Sequence, residues 1–250
     1  MLTPKMKKFN LKSHFLMVLV LGATFGLLGY LHTLNELYAY SLFESSSTLN
    51  MNDVFIRNFL HGDFERFTFI RRDNPILILS FIVYYFIGTI IISQPFLKKE
   101  KAYLFNIFSR CKDRGELFSV LMKGTTRRQL YFQLSYLAAF TINLLSIRPT
   151  FVTEGITFNF VDLILILGGQ YFVFTFLKMI TFLTFIKTGE STAILTNILC
   201  TALIFLFSVH VRNIVFFDET FLMVWNTISW GLANLFLYYK IKFSMSYEFQ

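Results

Sequence analysis

Five stretches of this chain run for about twenty residues without a charged side chain: Ser13 to Asn35, Asn74 to Leu97, Gln129 to Ile147, Ser191 to Val211 and Thr220 to Tyr239. A sixth, Leu163 to Ile186, is interrupted only by Lys178. Such runs exclude most soluble folds, because a surface helix must show polar residues on one face every turn. They match the length that carries a helix across the hydrocarbon of a bilayer. Each run is apolar all round and lacks the period-two alternation of barrel strands, so the spans are helical. Composition agrees: 55% of residues are hydrophobic and 15% charged, against about a quarter charged in a soluble domain.

The expected fold is an all-α integral membrane protein, a single domain of six transmembrane helices. The spans fall at about 14–34, 75–97, 129–147, 160–186, 191–211 and 220–239, with an outer loop at 35–74 and a cytoplasmic loop at 98–128. An even number of spans puts both termini on one side. The net charge of +8 would raise nucleic acid as a partner in a soluble chain, but here the positions of the charges point to membrane topology and no nucleic acid. Lys5, Lys7, Lys8 and Lys12 precede the first span, and Lys98, Lys99, Lys101, Arg110, Lys112, Arg114, Lys123, Arg127 and Arg128 fill the loop after the second. Lys187, Lys240 and Lys242 fall on the same side. The opposite side carries more acids than bases, among them Glu36, Asp53, Asp63, Glu65, Asp73, Glu154, Asp162, Asp218 and Glu219. Excess Lys and Arg mark the cytoplasmic side, so both termini are expected there, in a multi-pass protein of the cell membrane. The first apolar run is too long for a secretory signal core and no small-residue cleavage site follows it; it reads as a retained helix.

The loop at 98–128 is itself patterned. Leu104, Ile107, Phe108 and Cys111 share one helical face. Asp113 with Glu116 forms a capping-box arrangement ahead of Leu117, Val120 and Leu121, with Gly124 expected to end that helix and Thr125 or Thr126 to cap the next. A short amphipathic helix on the membrane surface follows, its bases facing anionic lipid. Between the fourth and fifth spans the stretch KTGE makes a tight turn around Gly189, which requires the two helices to form an antiparallel hairpin.

This arrangement resembles the permease subunits of ABC-2 type exporters, above all the small ones associated with peptide or bacteriocin export and immunity. The likeness rests on six spans, both ends inside, a Lys-rich amphipathic start (MLTPKMKKFNLKSH) and a substantial loop after the second span. Within that loop Tyr103, Leu104, Ile107, Arg110, Arg114 and Phe118 follow the family's order of tyrosine, aliphatics, spaced arginines and aromatic. Asp113 departs from that pattern, as does a long outer loop between spans one and two. The resemblance implies that the N-terminal piece is an elbow helix and that the loop holds a coupling helix docking into a separate ATP-binding cassette subunit through Arg110, Arg114, Glu116, Leu117, Phe118 and Leu121. It further implies a second permease chain, identical or different, and ATP and magnesium bound by the partner. This chain has no GxxxxGK[ST] segment to cradle phosphate and is expected to bind no cofactor itself.

Polar residues within the spans are the remaining candidates. Asn143, Gln170, Asn226 and Trp230 are read as lining a pathway for an amphipathic peptide, against the alternative of ordinary interhelical hydrogen bonds. Lys178 lies sixteen residues beyond Asp162, about 24 Å along a helix, and is expected to snorkel to the cytoplasmic interface. Gly22 and Gly26 form a GxxxG contact that serves either the chain's own interior or a dimer. No HExxH or paired glutamates support an enzyme, and Cys111 and Cys200 are too far apart in the expected topology for a disulfide or a metal site. The alternative function is a stand-alone membrane protein that binds a toxin or other partner in immunity without transport.

Overall fold

A computed structural model describes residues 15–31, 83–97, 114–146, 160–210 and 220–247. Among them are six helices and no strand: α1 (Phe15–Leu31), α2 (Gly88–Leu97, continuous with a π-helical turn over Val83–Ile87), α3 (Arg114–Ser146), α4 (Phe160–Lys187), α5 (Glu190–His210) and α6 (Thr220–Tyr247). Two of them, through Ile164–Lys187 and Glu190–Phe207, are long and apolar enough to cross a membrane. The N-terminal segment 1–14, the outer loop 35–74 and residues 98–113 lie outside the described residues.

α4 is the hub of the bundle. It packs along α6 more extensively than any other described pair, and it also touches α5 and α2. More than half of its apolar stretch is buried, whereas α5 stands at the periphery. α1 lies against α3, and the GxxxG pair explains how. A Cβ on Gly22 would come within 2.6 Å of the Phe132 carbonyl oxygen, and one on Gly26 would run into the Tyr136 carbonyl and meet the Ala139 Cβ at 3.0 Å. The two glycines therefore serve an internal seam, where the missing side chains let two backbones approach closely.

Two apolar clusters fill the interior. One collects Tyr84, Tyr85, Phe132, Tyr136, Phe140 and Phe174 from α3, α4 and the π turn. The wider turn directs both Tyr84 and Tyr85 inward, and Tyr84 meets Phe174 edge to face at 5.0 Å. The second cluster joins Phe96 of α2, Phe118 and Met122 of α3, Phe182, Phe185 and Ile186 of α4, Ala193 of α5 and Ile241 of α6. It marks one end of the bundle, where α4 and α6 finish and α3 and α5 begin.

At that end the structure departs from the sequence expectation. Gly124 does not end a helix, and Thr125 and Thr126 do not cap one; Arg114–Ser146 is a single helix that joins the expected coupling segment to the expected third span. A glycine inside a helix costs only about 1 kcal/mol. Tertiary packing overrides that cost, since Phe118 is fully buried between Phe182 at 5.4 Å and Tyr238 at 5.2 Å. The Thr125 hydroxyl donates back to the Met122 carbonyl at 3.0 Å, a bond that a helix interior accommodates. α6 likewise continues to Tyr247, beyond the expected end at 239. The Gly189 turn forms as expected: with φ at +122° the residue joins α4 to α5, and its carbonyl accepts from the Ala193 amide at 3.1 Å.

Candidate functional site

Among its apolar clusters the bundle also buries many polar side chains, and it exposes many apolar ones. Among its buried side chains are Gln129, Gln133, Gln170, Thr175, Lys178, Asn197, Asn226 and Asn234, while Leu134, Leu199, Leu203, Leu232 and Phe236 are largely exposed. Water selects the opposite arrangement, since it solvates amides and repels leucines. A hydrocarbon solvent tolerates the leucines and drives the amides inward to find partners.

Lys178 is the centre of this polar interior. Only 1% of it is exposed, so the expected snorkelling does not occur. A helical side chain leans toward its own N-terminus, which directs Lys178 back into the bundle, where α3 supplies acceptors. The ammonium donates to Thr126 Oγ1 and to Gln129 Oε1, each at 3.0 Å. Gln129 is held in turn: its amide nitrogen donates to the Tyr171 carbonyl at 2.9 Å and lies 3.2 Å from Thr175 Oγ1. Thr175 donates to the Tyr171 carbonyl at 2.8 Å. The knot ties the middle of α4 to α3 just past Gly124. Among the described residues Lys178 has no acidic partner, and the two acceptors of its amine are neutral oxygens. Residues Thr126, Gln129 and Gln133 repeat at helical spacing, and this was the signal in the sequence for the acceptor face.

Further polar links lie along α4. Tyr84 donates to Gln170 Oε1 at 3.3 Å. Asn197 of α5 donates to Thr181 Oγ1 at 2.7 Å, and Asn234 of α6 donates to the Phe172 carbonyl at 2.9 Å. Gln170 Nε2, Asn197 Oδ1 and Asn234 Oδ1 are buried and have no hydrogen-bond partner among the described residues.

The residues expected to line a pathway differ in their surroundings. Asn143 is half-buried and donates to the Ala139 carbonyl of its own helix at 2.7 Å. Gln170 faces α2, Asn226 is buried on α6, and Trp230 packs edge to face on Phe176 at 5.0 Å. Gln170 does bond across elements, to Tyr84, while sequence reasoning missed Gln129, Thr175, Asn197 and Asn234, which make further interhelical bonds. Of the expected coupling residues, Arg110 and the side chains of Arg114, Glu116 and Leu117 lie outside the described residues. Phe118 is in the core and Leu121 is half-buried against the same cluster.

All eight Lys and Arg among the described residues sit in the half of the bundle that holds the Phe118 cluster: Arg114, Lys123, Arg127, Arg128, Lys178, Lys187, Lys240 and Lys242. Among the described residues no three His, Cys, Asp or Glu side chains gather where they would hold a metal ion. In comparison with known proteins, no family model, no curated protein and no solved structure matches the chain.

Proposed function

We propose that this chain is the membrane-spanning subunit of an ATP-driven exporter of the ABC-2 type, with six spans, both termini in the cytoplasm and its ATPase on a separate chain. The observation that carries the reading is the continuity of α3: one rigid helix joins the amphipathic segment at Arg114–Met122 to a helix deep in the bundle. Phe118 keys that helix into α4 and α6, and Lys178 ties it to α4 further along. A push on the segment before Gly124 therefore moves α3 and α4 together, which is what coupling ATP hydrolysis to a change of access requires. Phe118 and Leu121 then act as the internal end of the coupling element, while Arg110, Arg114, Glu116 and Leu117 remain the proposed contacts to the ATP-binding subunit. The asymmetric distribution of Lys and Arg supports a cytoplasmic placement of the Phe118 end.

The cargo is proposed to be an amphipathic peptide or bacteriocin, exported or cleared in self-immunity by two permease chains. Asn143, Gln170, Asn226 and Trp230 would line the pathway only after the helices part, since here they face different neighbours.

The test is to tag the C-terminus, extract the protein from its native membrane in mild detergent and identify stoichiometric partners by mass spectrometry. A co-purifying chain with a GxxxxGK[ST] segment is expected, and Leu117→Asp should release it while the bundle stays folded. Repeated recovery of the folded chain without such a partner refutes the exporter reading. It would favour a stand-alone membrane interaction protein.

A further inference from the structure

The outward face of α3 changes character within a single turn. Its exposed positions are Lys123 and Arg127, followed by Leu130, Tyr131, Leu134 and Ala138, which recur at helical spacing along one side of the helix. Lys123 and Arg127 make no ion pair or hydrogen bond with any described residue. Beside them the seam with α1 is closed by aromatic contacts: Phe15 meets the Tyr131 ring edge to face at 5.3 Å, and the Arg128 guanidinium lies 6.0 Å from the Phe15 ring centre.

We propose that this face is a binding site for one anionic phospholipid, its headgroup phosphate held by Lys123 and Arg127 and its acyl chain lying along Tyr131, Leu134 and the α1–α3 seam. Charge complementarity selects the lipid class, because two cations with no ion pair among the described residues sit directly beneath exposed apolar surface, and no described acidic side chain stands on that face. The order along the helix matches the order within a phospholipid, anion first and hydrocarbon above. A free phosphate would satisfy the cations and leave the apolar turns unused. Gly22 and Gly26 contribute by drawing α1 close enough to wall one side of the site. The Arg128–Phe15 contact fixes the lower end of that wall and leaves Lys123 and Arg127 free to bind. The inference rests on the membrane reading and is independent of whether an ATP-binding partner exists.

The experiment titrates the purified full-length chain, in uncharged detergent, with phosphatidylglycerol and separately with phosphatidylcholine, and reads bound lipid by native mass spectrometry. Wild type should retain phosphatidylglycerol preferentially. With each basic residue at a membrane surface contributing about a fivefold factor, Lys123→Gln with Arg127→Gln should weaken phosphatidylglycerol about thirtyfold and leave phosphatidylcholine unchanged. Lys240→Gln with Lys242→Gln removes the same charge from α6 and should leave this site's occupancy intact. Leu134→Gln should weaken phosphatidylglycerol while keeping both cations. All four positions substituted in the double variants are exposed, so melting temperatures should stay near wild type as a check on folding. Equal loss in the two double variants would overturn the proposal in favour of unspecific attraction to a charged belt. Full displacement by millimolar inorganic phosphate would identify an anion site without lipid selectivity, and no preference between the two lipids would also overturn the proposal. Co-purification of an ATPase with the Lys123/Arg127 variant would show that the lipid site can fail while the exporter reading stands.

Discussion

Cutting the Lys178 knot from its two sides should have unequal consequences. Gln129→Leu removes one acceptor and leaves the buried Lys178 amine with Thr126 as its remaining partner among the described residues. Loss of a charge-assisted hydrogen bond with its partner still buried costs about 1.5–3 kcal/mol. The amide's own bond to the Tyr171 carbonyl adds about 0.6 kcal/mol, the average for interhelical bonds in membrane proteins. The sum is about 2–4 kcal/mol. Lys178→Met instead removes the cation and its desolvation penalty together, with a side chain of similar length. Gln129 Nε2 keeps its bond to the Tyr171 carbonyl, so the expected change is within about 1 kcal/mol of wild type. The double variant should recover most of the loss seen in Gln129→Leu. Reversible unfolding in mixed micelles, followed by tryptophan fluorescence, gives the three free energies and their coupling. If Gln129→Leu is no more harmful than Lys178→Met, the buried ammonium is not held by Gln129 and the reasoning about α3 fails with it.

Two further outcomes follow from packing. Gly26→Val should destabilise the bundle by about 1–3 kcal/mol, because the new branches meet the Tyr136 carbonyl, and it should leave the oligomeric state unchanged because the seam is internal. Thermal melting and light scattering read the two effects separately. Phe118→Ala should cost about 3–5 kcal/mol as a cavity between Phe182 and Tyr238, whereas exposed Leu130→Ala should stay within about 0.5 kcal/mol. Similar losses at the two sites would mean that Phe118 is not in the core.

The helical class was legible in the charge-free runs, because each is apolar all round and lacks the alternation of a strand. The hairpin turn was legible too, since Gly189 adopts a backbone angle that other residues resist. The continuity of α3 was not. Asp113, Glu116 and Gly124 carry the local marks of a short helix, and only Phe182 and Tyr238, which lie 64 and 120 residues beyond Phe118 in the chain, reverse them. Lys178 misled for the same reason: its depth along α4 is readable from spacing, but the Gln129 acceptor that holds it inward belongs to another helix. Asn143 looked equivalent to Asn197 and Asn234 in sequence, yet it bonds a carbonyl of its own helix. Which amides bridge helices depends on how each helix is turned about its axis, and no single run encodes that.

The short connection at Gly189 bears on the order in which the chain is assembled during synthesis. Asn197 finds its partner Thr181 only 16 residues away, so α4 and α5 can enter the bilayer as a pair with the amide nitrogen already bonded. The Gln129–Lys178 bond spans 49 residues and the Asn234–Phe172 bond 62. The buried lysine can therefore find its Gln129 acceptor as soon as α4 emerges, because α3 is made first. Asn234 arrives last, on α6, and docks onto a Phe172 carbonyl that has waited since α4 was made. Ribosome-stalled intermediates ending after α5 should already protect Lys178 from amine-reactive reagents.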